Sequence, residues 1–164
     1  MASKLNIKVN GLVHSVTASL DTPLLYVLHN ELHLHGPRFG CGLAQCGACS
    51  VLIDGELVNS CLVAACQVEG AQVLTVEGVA ADGQLTPLQR IFVERGGSQC
   101  GICTPGMIVA AHRFLLSGQQ ATNEKVREAI AGNLCRCTGY TKIVEAIQLA
   151  AGEQPASPGP SGRR

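Results

Sequence analysis

The 164-residue chain predicts an α+β fold in which hairpins, one helix and a closing strand fill the first 80 residues and an all-α unit follows. Three observations carry this expectation. Apolar and polar residues alternate around two turn dipeptides, Asn10-Gly11 and Asp54-Gly55, in the first half. From about residue 86 the apolar spacing becomes helical. The stretch Gly152 to Arg164 is rich in Pro, Gly and Ser, a composition that buries too little apolar surface to order itself, so a disordered tail is expected there.

Each element follows in order. Leu5, Ile7 and Val9 alternate with polar residues, Asn10-Gly11 turns the chain, and a second strand runs through Val16. Thr22 is the expected N-cap of a helix with Pro23 at its first position, and Leu24, Leu25, Leu28 and Leu32 share one face. Gly36 to Gly47 is glycine-rich and irregular, Ser50 to Ile53 and Glu56 to Val58 flank Asp54-Gly55, and Gln72 to Val76 forms the last strand. Four helices are expected over 86–95, 105–117, 123–131 and 140–151. Thr104-Pro105 and Thr122 are starts, and Gly118 and Gly132 are stops. The domains so predicted are 1–80 and 81–151, followed by the tail 152–164, and no internal repeat relates them.

Twelve basic and twelve acidic residues cancel, and no block of like charge marks nucleic acid or anionic lipid as a partner. No stretch reaches the roughly 18 apolar residues of a membrane span. Met1-Ala2-Ser3-Lys4 runs into strand-like sequence with neither an apolar h-region nor a twin-arginine pair, so the cytoplasm is the expected location. Cysteines in that reducing compartment more often ligate metal or do redox chemistry than form disulfides, and this chain has nine. Hydrophobic residues are 46% of the chain and aromatics only 3%, which suits small elements packed around cofactors, or a subunit with a buried face.

Cys41, Cys46 and Cys49 have the C-x4-C-x2-C spacing of plant-type ferredoxins, and Cys61, with eleven residues between it and Cys49, is the fourth ligand. Four thiolates saturate a two-iron cluster, whose negative charge is held by backbone N–H groups if the loop wraps tightly. Gly40, Gly42, Ala44, Gly47 and Ala48 allow that wrapping. Zinc is the competing reading, since C-x2-C is also a zinc knuckle, but zinc sites seldom use a glycine-packed C-x4-C-x2-C run. His33 and His35 are not needed as Rieske-type ligands, because four cysteines already fill the site.

Cys100 and Cys103 precede one predicted helix, and Cys135 and Cys137 lie between two others, 31 residues beyond. Two cysteine pairs at helix ends make a closed four-thiolate site, where helix N-termini add N–H groups and positive dipole. C-x-C is too tight for a typical zinc ribbon. Cys66 is surplus, and its Ala- and Val-rich surroundings predict a small buried residue in a helix.

The stretches Gly40-Cys41 through Val51, Ser98-Gln99-Cys100 through Met107, and Gly132 through Tyr140 resemble the small iron-sulfur subunits of molybdenum hydroxylases of the xanthine oxidase type. The resemblance extends over residues 4 to 150. It implies a β-grasp, plant-type ferredoxin domain followed by a four-helix [2Fe-2S] domain. It also implies that the second cluster lies beside a molybdopterin, in the cytosine dinucleotide form, held by a large molybdenum-binding subunit. Gln99 would then contact the pterin, and Cys137 would sit at the cluster's pterin-facing edge. Electrons would pass from molybdenum to the Cys100 cluster, then the Cys41 cluster, then an FAD-binding or cytochrome subunit. Gly36-Pro37-Arg38-Phe39 stands where many members have Gly-Thr-Lys, and looks like the branch acting on isoquinoline, nicotinate or aldehydes. Arg136, between two ligands, is a candidate for tuning potential or for ordinary pairing at a subunit interface.

The alternative is a free-standing carrier of electrons. Such a protein docks by charge complementarity, for which a net charge of zero is poorly suited, and it has no use for Gln99.

Overall fold

The computed structural model describes residues 2–80 and 83–153. Strands β1 (Ala2–Val9) and β2 (Leu12–Ser19) form an antiparallel hairpin in which Leu5 faces Val16 and Val9 faces Leu12. Asn10 and Gly11 both have positive φ, 50° and 84°, as a two-residue hairpin turn of matching twist demands. β3 (Ser50–Ile53) and β4 (Glu56–Asn59) pair the same way around Asp54 and Gly55. β5 (Gln72–Leu74) then inserts between the hairpins, parallel to β1 and antiparallel to β3, giving the sheet order β2-β1-β5-β3-β4.

Helix α1 (Leu24–Asn30) packs on one face of this sheet, burying Leu24, Val27 and Leu28 against Ile7, Val51 and Val73. Its start differs from expectation. Thr22 is not the cap: Pro23 precedes the first helical residue and no side chain caps it. Leu24 N–H instead donates to Val63 O at 2.7 Å, and Ala65 N–H to Thr22 O at 2.8 Å. A distant segment has taken over the local cap's task.

That segment contains a 3-10 turn, Ala65–Val68, rather than a longer helix. Ala65 and Val68 point into the core, and Cys66 points outward and is exposed, which corrects its expected burial. With three residues per turn, positions 65 and 68 eclipse on the inner side and leave 66 outside.

The last strand stops at Leu74, and a single helical turn, α2 (Val76–Val79), occupies the end of the predicted strand. The helices that follow are α3 (Pro87–Glu94), α4 (Thr104–Leu116), α5 (Asn123–Ala129) and α6 (Thr141–Glu153). Thr86 caps α3 in a reciprocal box with Gln89, and the Thr122 hydroxyl accepts from Lys125 N–H at the start of α5. Gly118, with φ of 67°, follows the end of α4 as predicted, whereas α5 ends at Ala129, ahead of Gly132. Gly152 and Glu153 belong to α6 rather than to a tail, and the rest of the predicted tail, 154–164, lies outside the described residues.

Phe92, Met107, Ile130, Ile143 and Ile147 form the centre of a second core. Leu52 of β3 belongs to it, while its neighbour Val51 belongs to the sheet core. β3 is therefore buried on both faces, because successive side chains point to opposite sides of a strand. An ion pair between Arg113 on α4 and Glu56 on β4, at 3.1 Å, spans the same junction at the surface. None of the described helices is long and apolar enough to cross a membrane.

Candidate metal centres

The first cysteine group lies on the irregular segment between α1 and β3, with Cys61 just beyond β4. His29 on α1 donates from Nε2 to Pro37 O, and Arg38 N–H donates to Ala48 O at 2.8 Å, which closes the loop's base. Gly42, Ala44 and Gly47 have positive φ, and this series of left-handed residues turns backbone N–H groups inward. Leu43 and Gln45 N–H both donate to Cys41 Sγ at 3.3 Å. These donors, Leu43 first, and Cys46 N–H with them, pull the Cys41 thiol down to about 7.

Cys46 Sγ stands so close to Gly40 that a Cβ there would meet it at 2.7 Å, so the bare glycine leaves room for the sulfur. Cys49 and Cys61 pack together with Leu25 in a small buried cluster. Burial pushes the Cys49 thiol up to about 11. The Ser60 hydroxyl donates to Cys49 O at 2.8 Å, and Asn59 Nδ2 to Ala44 O at 3.0 Å, which fastens the loop to β4. His33 and His35 stay outside the group. His35 stacks edge-on against His29 at 5.2 Å between ring centroids.

The second group is gathered from two loops. Cys103 is the residue before α4, and Cys135 and Cys137 lie on the loop before α6. Cys100 and Cys137 perturb each other's ionisation, and so do Cys103 and Cys135. Burial pushes Cys103 up to about 12. Ile102 N–H lowers Cys100, and the adjoining Cys100 raises Cys137. For Cys135 burial acts upward, but the hydroxyl and N–H of Thr138 outweigh it and the thiol is lowered. Cys103 is buried while Cys100, Cys137 and Gln99 are exposed, so this group has a closed side and an open edge. Arg136 is exposed as well.

Spacing alone assigns no role to Asn133, Thr138 or Tyr140. Thr138 Oγ1 lies 3.1 Å from Cys135 Sγ and accepts from Tyr140 N–H at 3.1 Å. The Tyr140 hydroxyl accepts from Cys135 N–H at 2.7 Å. Only a polar residue within three to five positions of a cysteine hints at such contacts in advance.

The two groups meet. Leu134 N–H, next to Cys135, donates to Cys46 O at 2.9 Å. Free thiols on these two segments, with N–H donors aimed at Cys41 sulfur and a loop wound through residues of positive φ, suit negatively charged iron-sulfur clusters.

Comparison with known proteins agrees with this donor chemistry in both halves. Residues 7–75 match the model of a 2Fe-2S iron-sulfur cluster binding domain, and residues 75–148 that of a [2Fe-2S] binding domain. The chain is 38% identical to a nicotinate dehydrogenase subunit of Pseudomonas putida, over 92% of this chain and 96% of that one. To the nicotinate dehydrogenase small FeS subunit of Eubacterium barkeri it is 40% identical, over 89% and 93%. Among solved structures, quinoline 2-oxidoreductase from Pseudomonas putida 86 superposes with a TM-score of 0.86 at 35% identity, covering 92% of this chain and 94% of the matched chain. The aldehyde oxidoreductase of Desulfovibrio gigas superposes with a TM-score of 0.86 at 40% identity, and there 94% of this chain corresponds to 18% of a longer one. The chain belongs to the small [2Fe-2S] iron-sulfur subunits of molybdenum hydroxylases of the xanthine oxidase and aldehyde oxidoreductase type. It is one component of an oxidoreductase complex.

Proposed function

We propose that Cys41, Cys46, Cys49 and Cys61 hold one [2Fe-2S] cluster in a β-grasp ferredoxin domain, residues 1–80, and that Cys100, Cys103, Cys135 and Cys137 hold a second in a four-helix domain, residues 81–151. One-electron transfer is the chemistry that clusters supply at such sites. The chain's own part is to hold them, exclude water from their closed sides and join them. The observation that carries the reading is the hydrogen bond from Leu134 N–H to Cys46 O. It links a backbone adjoining a ligand of one cluster to a ligand of the other with one non-covalent step.

The complex so proposed is cytoplasmic and hydroxylates an N-heteroaromatic compound or an aldehyde on a large molybdenum-binding subunit. Gln99 and the exposed Cys137 face the molybdopterin of that subunit, in its cytosine dinucleotide form, at the open edge of the second group. The route leads from there through the Cys135 loop to the Cys46 loop, and out to an FAD-binding or cytochrome subunit. The relatives named for nicotinate, quinoline and aldehyde support this substrate range.

Iron and acid-labile sulfide analysis tests the reading. Eight ligands in two complete sets should bind four of each per chain and give two distinguishable EPR signals on reduction. A count of two iron would remove the second site.

A further inference from the structure

We propose that Asn133, locked between Gly47 and Gly106, is a positioning residue that sets the separation of the two cluster sites; the inference rests on the two-cluster reading above. Asn133 is polar yet only 2% exposed. Its Nδ2 donates to Gly47 O at 2.8 Å and to Ser50 Oγ at 3.1 Å. The Ser50 hydroxyl donates to the same Gly47 carbonyl at 2.7 Å. Gly47 lies between Cys46 and Cys49, so the side chain of Asn133 grips the loop of the first group.

The backbone around Asn133 grips the loop of the second. Its N–H donates to Ile130 O at 2.9 Å, at the end of α5. Its carbonyl accepts from the Tyr140 hydroxyl at 3.4 Å, the same hydroxyl that receives Cys135 N–H. Both loops are thereby referred to one residue.

Space allows no slack. A Cβ on Gly106 would meet Gly47 O at 2.2 Å, and one on Gly47 would meet Gly132 O at 2.4 Å and Asn133 Nδ2 at 2.6 Å. Bare backbone lies against bare backbone, and the carboxamide fills what remains. A packed contact of this kind has one arrangement rather than a range. The residues making it are not cysteines, and neither iron count nor ligand chemistry requires them. What they control is distance, on which tunnelling rate and magnetic interaction between two clusters both depend steeply.

The test uses the full chain, purified with the subunits that accompany it, as wild type, Asn133→Asp and Gly106→Ala. Asn133→Asp keeps the shape and removes the donors; Gly106→Ala keeps Asn133 and wedges the contact apart. Both variants should retain wild-type iron and sulfide and the g-values of each separate cluster. The magnetic splitting between the two reduced clusters should shrink, and single-turnover transfer from the Cys100 site to the Cys41 site should slow severalfold. Unchanged splitting and rate, with only a lower unfolding temperature, would overturn the proposal and leave Asn133 a packing residue. Should both variants lose iron, Ser50→Ala decides in their place, since it removes one of the Asn133 contacts and spares the other. Diminished splitting supports the proposal there, and wild-type splitting overturns it. Failure of the underlying reading is separately visible, because wild type itself would then hold fewer than four iron.

Discussion

In the proposed second centre a single hydroxyl, that of Thr138, bears on a ligand. Its oxygen already accepts Tyr140 N–H, and a ligating Cys135 thiolate has no proton to give, so the hydroxyl donates to sulfur across the 3.1 Å contact. A donor to sulfur withdraws negative charge and favours the reduced state, so its removal lowers the reduction potential. Redox titration of Thr138→Val should show a lower midpoint for the second cluster only, with Thr138→Ser restoring it. An unmoved midpoint in Thr138→Val would mean that the hydroxyl serves the loop and not the cluster. Cys66 makes the opposite case: it is exposed on the 3-10 turn and surplus to the eight proposed ligands. Cys66→Ser should leave both EPR signals intact, and the loss of either would overturn the ligand assignment.

At the scale of elements, each group divides into thiols that ionise readily and thiols that resist. Cys41 sits in a loop of inward N–H groups with its thiol at about 7, whereas Cys49, just before β3, and Cys103, just before α4, are pushed to about 11 and about 12. A thiol must lose its proton to ligate iron, and one with a raised pKa holds that proton through neutral pH. Raising the pH therefore favours assembly. Reconstitution of the iron-free chain with iron and sulfide should quicken steeply from about pH 6.5 to about pH 8.5 and go on quickening to about pH 9.5, where the ionisation of an unperturbed thiol levels off. Equal rates at both ends would show that the buried thiols do not limit assembly.

For the whole molecule the order of the two sites matters most. If Cys61→Ser disables the first site and the complex survives, substrate should still reduce molybdenum and the Cys100 cluster in a single turnover, while steady turnover with the acceptor falls severely. Cys103→Ser should instead keep substrate electrons from the Cys41 cluster. Should Cys61→Ser block entry into the Cys100 cluster while acceptor-side reduction reaches it normally, the order is reversed. The placement of Gln99, Cys100 and Cys137 on an exposed edge, with Cys103 buried behind them, motivates the order.

By itself the sequence determined what depends on neighbours along the chain. Asn10-Gly11 and Asp54-Gly55 specify their hairpins because both residues of each pair tolerate positive φ. Thr122 specifies a helix start because its cap is completed within three residues. The two cysteine groups were legible for the same reason, since a cluster with closely spaced ligands imposes a short repeat. Tertiary structure alone decided what depends on residues far apart. It placed β5 between the hairpins, let Val63 and Ala65 replace Thr22 as the anchor of α1, and turned Cys66 outward. It also brought Asn133 to Gly47 across a separation of 86 residues. Contacts of that kind follow from the packing of two cores on opposite faces of β3, and no local propensity encodes them.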